Sequence, residues 1–342
     1  MTVKPLFRQA AVSVVGGLLA LAASSAASAS TYSAVVVYGD SLSDNGNFYA
    51  QTGFPPSPPY YPGRRSDGPL AVEYLATDFG VPLRDLALIG ATTGVGNYGD
   101  DGSVTAVGTL GLSGMGPVFA GSELARAPFR SSGLFVVWGG PNDFLAPAAA
   151  DLLPSPPTPS GTINPAAVVG RAVGNLLGMV AQLRAEGVRN ILVPGMPDLG
   201  LTPYFRGKGA AEAAQASALT DAFNAALLAG LPAGVMYYDT AGFLRQVEAD
   251  PEAYGLTDVS DPCFDSQTYL SGLTVVTPYT ICSNPQDYLF FDSFHPSTAA
   301  NALLAGEFIE RVPEPASISL MGLALGLLGR ALRRRPRAAL LG

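Results

Sequence analysis

A serine hydroxyl is a poor nucleophile near neutral pH. It needs a base within hydrogen-bond reach, and the base needs a partner that fixes its tautomer. The chain holds a single histidine, His295, so an imidazole base is this residue or none. It lies in Asp292-Ser293-Phe294-His295-Pro296, where Asp292 can reach the second ring nitrogen from the same loop. The candidate nucleophile is Ser41, in Gly39-Asp40-Ser41-Leu42-Ser43-Asp44-Asn45-Gly46-Asn47. Attack on an ester also builds negative charge on the carbonyl oxygen, and that charge needs donors already in place. The backbone N–H groups of Ser41 and of Gly90 in Gly90-Ala91-Thr92 can supply two, and the side-chain amide of Asn142 in Gly140-Pro141-Asn142-Asp143 a third.

Each residue also has a plainer use. Ser41 can cap a helix, His295 can be a structural imidazole, Gly90 can serve only a tight turn, and Asn142 can bond only loop backbone. Asp40 and Asp44 stand outside the chemistry, and Asp44 is placed to cap a helix or brace the serine loop. Trp138 reads as core. One histidine with Cys263 and Cys282 fits no usual zinc spacing, so no metal is expected.

These residues need a scaffold. Short β-branched and apolar runs at Ser33–Tyr38, Leu83–Ile89, Leu134–Trp138, Asn190–Val193 and Val235–Tyr238 read as strands. Helical patterns fall between and after them at Pro165–Glu186, Lys208–Ala229 and Ser297–Glu310. Alternating strands and helices indicate a parallel sheet covered on both faces, with sites at the carboxyl ends of the strands. Ser41, Gly90 and Asn142 each follow one of these runs. The proline-rich stretches Phe54–Pro62 and Pro147–Pro165 read as long loops; the first either walls an acyl pocket or covers the sheet.

The four segments resemble, in order, the blocks of the GDSL (SGNH) hydrolases, and they span residues 39–296. Gly63-Arg64-Arg65-Ser66-Asp67-Gly68 and Met196-Pro197-Asp198-Leu199-Gly200 are similar to segments of the family's bacterial lipase branch. The resemblance implies a three-layer α/β/α, flavodoxin-like fold on a five-stranded parallel sheet. It also implies cofactor-free ester hydrolysis, with Ser41, Asp292 and His295 as catalytic residues and Ser41, Gly90 and Asn142 as the oxyanion hole. The G-x-S-x-G elbow of the α/β-hydrolases does not occur; Ser41 lies in G-x-S-x-S.

The two ends read separately. Residues 1–29 have Lys4 and Arg8, an apolar run from Ala10 to Ala23 and the small-residue end Ala27-Ser28-Ala29, the pattern of a signal peptide. A hydrolase domain is then expected over 30–311. Over 312–342, Val312-Pro313-Glu314-Pro315-Ala316-Ser317, the apolar stretch Ile318–Gly329 and five arginines resemble a PEP-CTERM sorting signal. That implies export, transient anchoring in the membrane and an exosortase-type processing partner, with a periplasmic, cell-surface or extracellular destination. The ends carry seven of the 19 basic residues and none of the 27 acidic ones in residues 1–29 and 316–342, so the body has 12 basic residues against 27 acidic, a net −15. Such a body repels phosphate backbones, so nucleic acid is not an expected partner. In an exported chain Cys263 and Cys282 are expected to form a disulfide.

The expected function is an exported ester hydrolase working through an acyl-serine. Its substrate is a lipid, a short-chain ester or an acetylated polysaccharide; the sorting signal favours the last. A non-catalytic surface protein that keeps the fold is the alternative.

Overall fold

In a computed structural model, residues 32–98, 111–145, 164–265 and 279–313 are described. The expected signal peptide, the sorting segment from 314 onward and most of the second proline-rich stretch lie outside them. The elements in chain order are β1 (Val35–Gly39), α1 (Asn47–Thr52), α2 (Ala71–Asp78), β2 (Leu83–Asp85), α3 (Met115–Gly121), α4 (Glu123–Arg126), β3 (Leu134–Trp138), α5 (Pro141–Leu145) and α6 (Pro165–Ala185). They continue with β4 (Asn190–Pro194), α7 (Pro203–Lys208), α8 (Ala210–Gly230), β5 (Met236–Tyr238), α9 (Thr240–Ala249), β6 (Asp258–Pro262), β7 (Phe264–Asp265), β8 (Thr280–Ile281), β9 (Tyr288–Phe290) and α10 (Thr298–Arg311).

The first five strands form one parallel sheet in the order β2-β1-β3-β4-β5. β1 and β3 are buried along their whole length, which is why they read as unbroken apolar runs rather than alternating ones. Their side chains still alternate between two cores. Val36, Tyr38, Phe135 and Val137 pack with α3, α6 and α8 on one face. Val35, Val37, Leu134, Val136 and Trp138 pack with α2, α9 and α10 on the other. The result is three layers with helices on both faces. In α6, Val168, Val169, Ala172, Leu176, Val180 and Leu183 are all buried; the helix is long and apolar enough to cross a membrane, but this face is spent on the core.

β2 is shorter than its sequence pattern. The strand ends at Asp85, whose carboxylate turns back to accept from the Ala87 N–H at 2.9 Å, while the Leu86 and Leu88 N–H groups still reach β1 carbonyls at 2.9 and 3.1 Å. The small pairings β6–β9 and β7–β8 carry no strong sequence pattern. Beside them Cys263 and Cys282 form a disulfide, which in the chain-entropy model stabilises by about 3 kcal/mol. It packs in a third apolar cluster with Tyr60, Phe264 and Phe291.

Candidate active site

The strand order reverses direction between β1 and β3, and loops leaving the carboxyl ends there open a crevice. The serine loop follows β1. An ideal Cβ on Gly39 would lie 2.7 Å from the Trp138 carbonyl oxygen, so β1 and β3 meet this closely only because position 39 is glycine. Asp40 then folds the chain: its carboxylate accepts from the Leu42 N–H at 3.0 Å and its carbonyl from Ser43 and Asp44. This tight turn leaves Ser41 at the top of the sheet.

Asp44 both caps a helix and braces the loop. Its oxygens accept from the N–H groups of Gly46, Asn47 and Phe48 at the start of α1, and from Ile89 at 2.8 Å. The last bond ties the serine loop to the segment that carries Gly90. At Gly90 φ is +77°, and a Cβ there would lie 2.3 Å from Asn97 Oδ1, so both conformation and space call for glycine. Asn97 is fixed by donating to the Ile89 carbonyl at 2.9 Å.

His295 and Asp292 sit between β9 and α10. The loop closes on itself through Phe291 N–H to the His295 carbonyl, 2.8 Å. Its far side is pinned by the Gly63–Gly68 segment: the Ser66 hydroxyl donates to the Pro296 carbonyl, and Asp67 accepts from the Thr298 N–H at the start of α10. His295 Nε2 lies 2.8 Å from Ser41 Oγ, and Nδ1 lies 2.9 Å from both Asp292 oxygens. With Nδ1–H donating to the carboxylate, Nε2 is left to accept the serine proton. Asp292 is fully buried, and its Oδ1 also accepts from the Phe294 and His295 N–H groups.

Asn142 opens α5 after β3 and donates through Nδ2 to the Ala91 carbonyl at 3.1 Å. Among the described residues its second N–H has no protein acceptor, and neither do the N–H groups of Ser41 and Gly90. Asn142 is therefore at least a brace on the Gly90 loop, with one donor to spare. Its neighbour Asp143 holds the same loop further on, accepting from the Thr93 N–H and hydroxyl at 2.9 Å each. Burial pushes the Asp40 carboxyl up to about 7 and that of Asp143 to about 6, and it raises Asp44 against the pull of its backbone donors. Beyond Thr93 lies a cavity of about 300 Å³ walled by Val95, Pro117, Ala120, Asn175 and Met179. Among the described residues no group of three or more His, Cys, Asp or Glu side chains is placed to hold a metal ion.

Comparison with known proteins decides the family. The model of the GDSL-like lipase/acylhydrolase family matches residues 35–308. The chain belongs to this family. The GDSL assignment makes it a carboxylic ester hydrolase, and a match to the PEP-CTERM protein-sorting motif over residues 311–335 marks it for export. Among relatives, the phosphatidylcholine-sterol acyltransferase of Aeromonas hydrophila is 27% identical, the alignment covering 86% of this chain and 95% of that protein. A GDSL esterase/lipase of Arabidopsis thaliana is 25% identical over 83% of this chain and 90% of its own. A solved lipase from a goat rumen metagenome aligns with 81% of this chain and 96% of its own, at 12% identity and a TM-score of 0.44.

The structure brings Ser41, His295 and Asp292 into one hydrogen-bonded chain and sets Asn142 against the Ala91 carbonyl. Trp138 is core, with its indole N–H on the Gly195 carbonyl. The Phe54–Tyr61 stretch divides: Phe54 joins the sheet core, Tyr61 is half-exposed, and the Tyr60 hydroxyl reaches Asp292 Oδ2 at 2.8 Å. No pattern in the sequence marks Tyr60, Asn97 or Asp143 individually. The Asn142-Asp143 pairing was visible; the partners of Tyr60 and Asn97 were not.

Proposed function

We propose that this GDSL hydrolase cleaves esters through an acyl enzyme on Ser41. The observation that carries the reading is the 2.8 Å contact of Ser41 Oγ with His295 Nε2 while Asp292 occupies the other ring nitrogen. In the first half-reaction Ser41 Oγ bonds the ester carbonyl carbon and its proton passes to Nε2. The negative oxygen that forms is met by the Ser41 and Gly90 N–H groups and the spare N–H of Asn142. The C–O bond to the alcohol then breaks, and His295 returns its proton to the leaving oxygen. In the second half water attacks the acyl carbon, its proton goes to Nε2, and Ser41 leaves with that proton. Asp292 holds the tautomer and steadies the imidazolium between the steps.

None of the candidate catalytic residues lines the apolar groove of Val95, Pro117, Ala120 and Met179 beyond Thr93, so the choice between a longer acyl group and acetyl belongs to the ester panel. An acetylated surface polysaccharide is the competing substrate, favoured by the sorting motif alone. After export, a signal peptidase would act near Ala29 and an exosortase-type enzyme at Pro313-Glu314-Pro315.

A panel of p-nitrophenyl esters from acetyl to long acyl chains, run on the wild type and on Ser41→Ala, tests both points. Ser41→Ala is expected to fall to background while melting normally. Turnover retained by the variant, or none by the wild type on any ester, would sink the reading.

A further inference from the structure

The phenol of Tyr60 stands out among the buried polar groups that the acyl-enzyme scheme does not use. The residue is 2% exposed and follows a run of prolines 232 residues before Asp292. Its ring is wedged edge-on against Phe264 and Phe291, with centroids 5.4 Å away in both cases. Phenylalanine would fill that space equally well. Burying a hydroxyl there is unfavourable unless it is hydrogen-bonded, and Tyr60 Oη–H donates to the carboxylate of the triad, Asp292 Oδ2, at 2.8 Å. Arg65 in turn donates from Nη1 to the Tyr60 oxygen at 3.2 Å, with its guanidinium 4.6 Å above the Phe54 ring. A phenol that accepts from a cation is a stronger donor on its other side.

We propose that Tyr60 is a positioning residue for the acid of the triad, holding the outer oxygen of Asp292 so that the carboxylate faces His295 Nδ1 in one orientation. Asp292 Oδ1 is already fixed by the backbone N–H groups of Phe294 and His295. His295 Nδ1 lies 2.9 Å from both oxygens and so does not choose between them; the Tyr60 hydroxyl adds a donor aimed at Oδ2 and, with the backbone donors on Oδ1, fixes the plane of the carboxylate. The aromatic seat of Tyr60 is itself held from behind. Phe264 N–H donates to the Phe291 carbonyl at 2.6 Å, and Cys263, joined to Cys282, donates to Phe290 at 3.1 Å. The disulfide thereby supports the residues that flank Asp292 on its N-terminal side.

This inference rests on the acyl-enzyme reading of the site, and its test separates the two. Tyr60→Phe keeps the ring and removes the hydroxyl. In the full folded chain it is expected to lower kcat on a p-nitrophenyl ester about ten- to a hundredfold, the usual scale for a hydrogen bond to a charged group, with KM little changed and Tm lower by a few degrees because a buried carboxylate oxygen loses a donor. A second readout does not need turnover. With one histidine in the chain, the downfield proton NMR signal of a hydrogen-bonded Nδ1–H belongs to His295. In Tyr60→Phe that signal should move or exchange faster with solvent. A purely packing role predicts wild-type kcat and an unmoved signal, and that result overturns the proposal. If the wild type hydrolyses no ester, the acyl-enzyme reading fails while the NMR comparison still decides the hold of Tyr60 on the Asp292–His295 pair. If Tyr60→Phe does not fold, Arg65→Met carries the test. It leaves the phenol in place, and should shift kcat and the NMR signal in the same direction by a smaller factor; no change in either overturns the proposal.

Discussion

Asn142→Ala should show two losses of different kinds in one molecule. The side chain is buried at 7% exposure and spends one amide N–H on the Ala91 carbonyl at 3.1 Å. Removing it takes away a neutral hydrogen bond and leaves a buried acceptor unpaired, together about 1–2 kcal/mol of stability. For a body of this size that is a fall of roughly 2–4 °C in Tm. The other N–H is the proposed oxyanion donor. Losing one such donor elsewhere costs about 10²–10³ in turnover. Because Asn142 also holds the Ala91 carbonyl, one residue on from Gly90, its loss loosens the loop that carries the second donor, so the expected fall in kcat is near 10³. KM should change little, since the oxyanion exists only after Ser41 attacks. Steady-state kinetics on a p-nitrophenyl ester and a thermal melt on the same preparation read both. The single tryptophan, buried Trp138, reports unfolding. A variant that melts a few degrees early yet turns over normally per folded molecule would refute the donor role and leave Asn142 as a brace. A variant with low kcat and unchanged Tm would refute the brace.

Gly90→Ala places a methyl group at φ +77° against the pinned Asn97 side chain. It should cost about 1–3 kcal/mol by backbone strain alone and lower kcat as the Gly90 N–H is displaced, both read by melting and ester turnover; a silent substitution would show that the loop relaxes freely. Asp40→Asn should change the pH dependence of stability. Burial raises the folded-state carboxyl to about 7, so between about pH 4 and 7 the folded chain keeps a proton the unfolded chain has lost, and stability falls as pH rises through that window. Asparagine cannot ionise, so the variant should melt higher than wild type at pH 8 and no higher at pH 4. An equal difference at both pH values would exclude Asp40 as the titrating group.

Much of this protein is local, and local features are written in sequence. β3 is legible because all five residues of Leu134–Trp138 are apolar, as a strand buried on both faces requires. α10 announces itself by Ser297, whose hydroxyl accepts from the Ala300 N–H. β2 ends at Asp85, short of its apolar pattern: the Asp85 carboxylate folds back onto the Ala87 N–H while Leu86 and Leu88 keep their bonds to β1, a local turn of the backbone that the apolar pattern does not record. The convergence of Ser41, Gly90 and Asn142 was legible because strand ends in a parallel sheet share one edge, so residues placed after β1, β2 and β3 come together without further instruction.

What only the tertiary structure decided are the pairings across long separations. Ser41 and His295 are 254 residues apart, and no period or spacing encodes a 2.8 Å contact between them; the types of the two residues suggested it and the fold made it. The hydroxyl of Tyr60 meets Asp292 across 232 residues, and Thr93 meets Asp143 across 50. The sequence by itself determined which groups were available: one imidazole, a serine after a strand-ending glycine, a carboxylate three residues before the histidine and an amide after β3. Which of them share a site, which loop each one braces and which carboxyls lose their water follow from packing. Hydrogen bonds and burial depend on distance in space, and the chain sets that distance only when the sheet and both helical layers close.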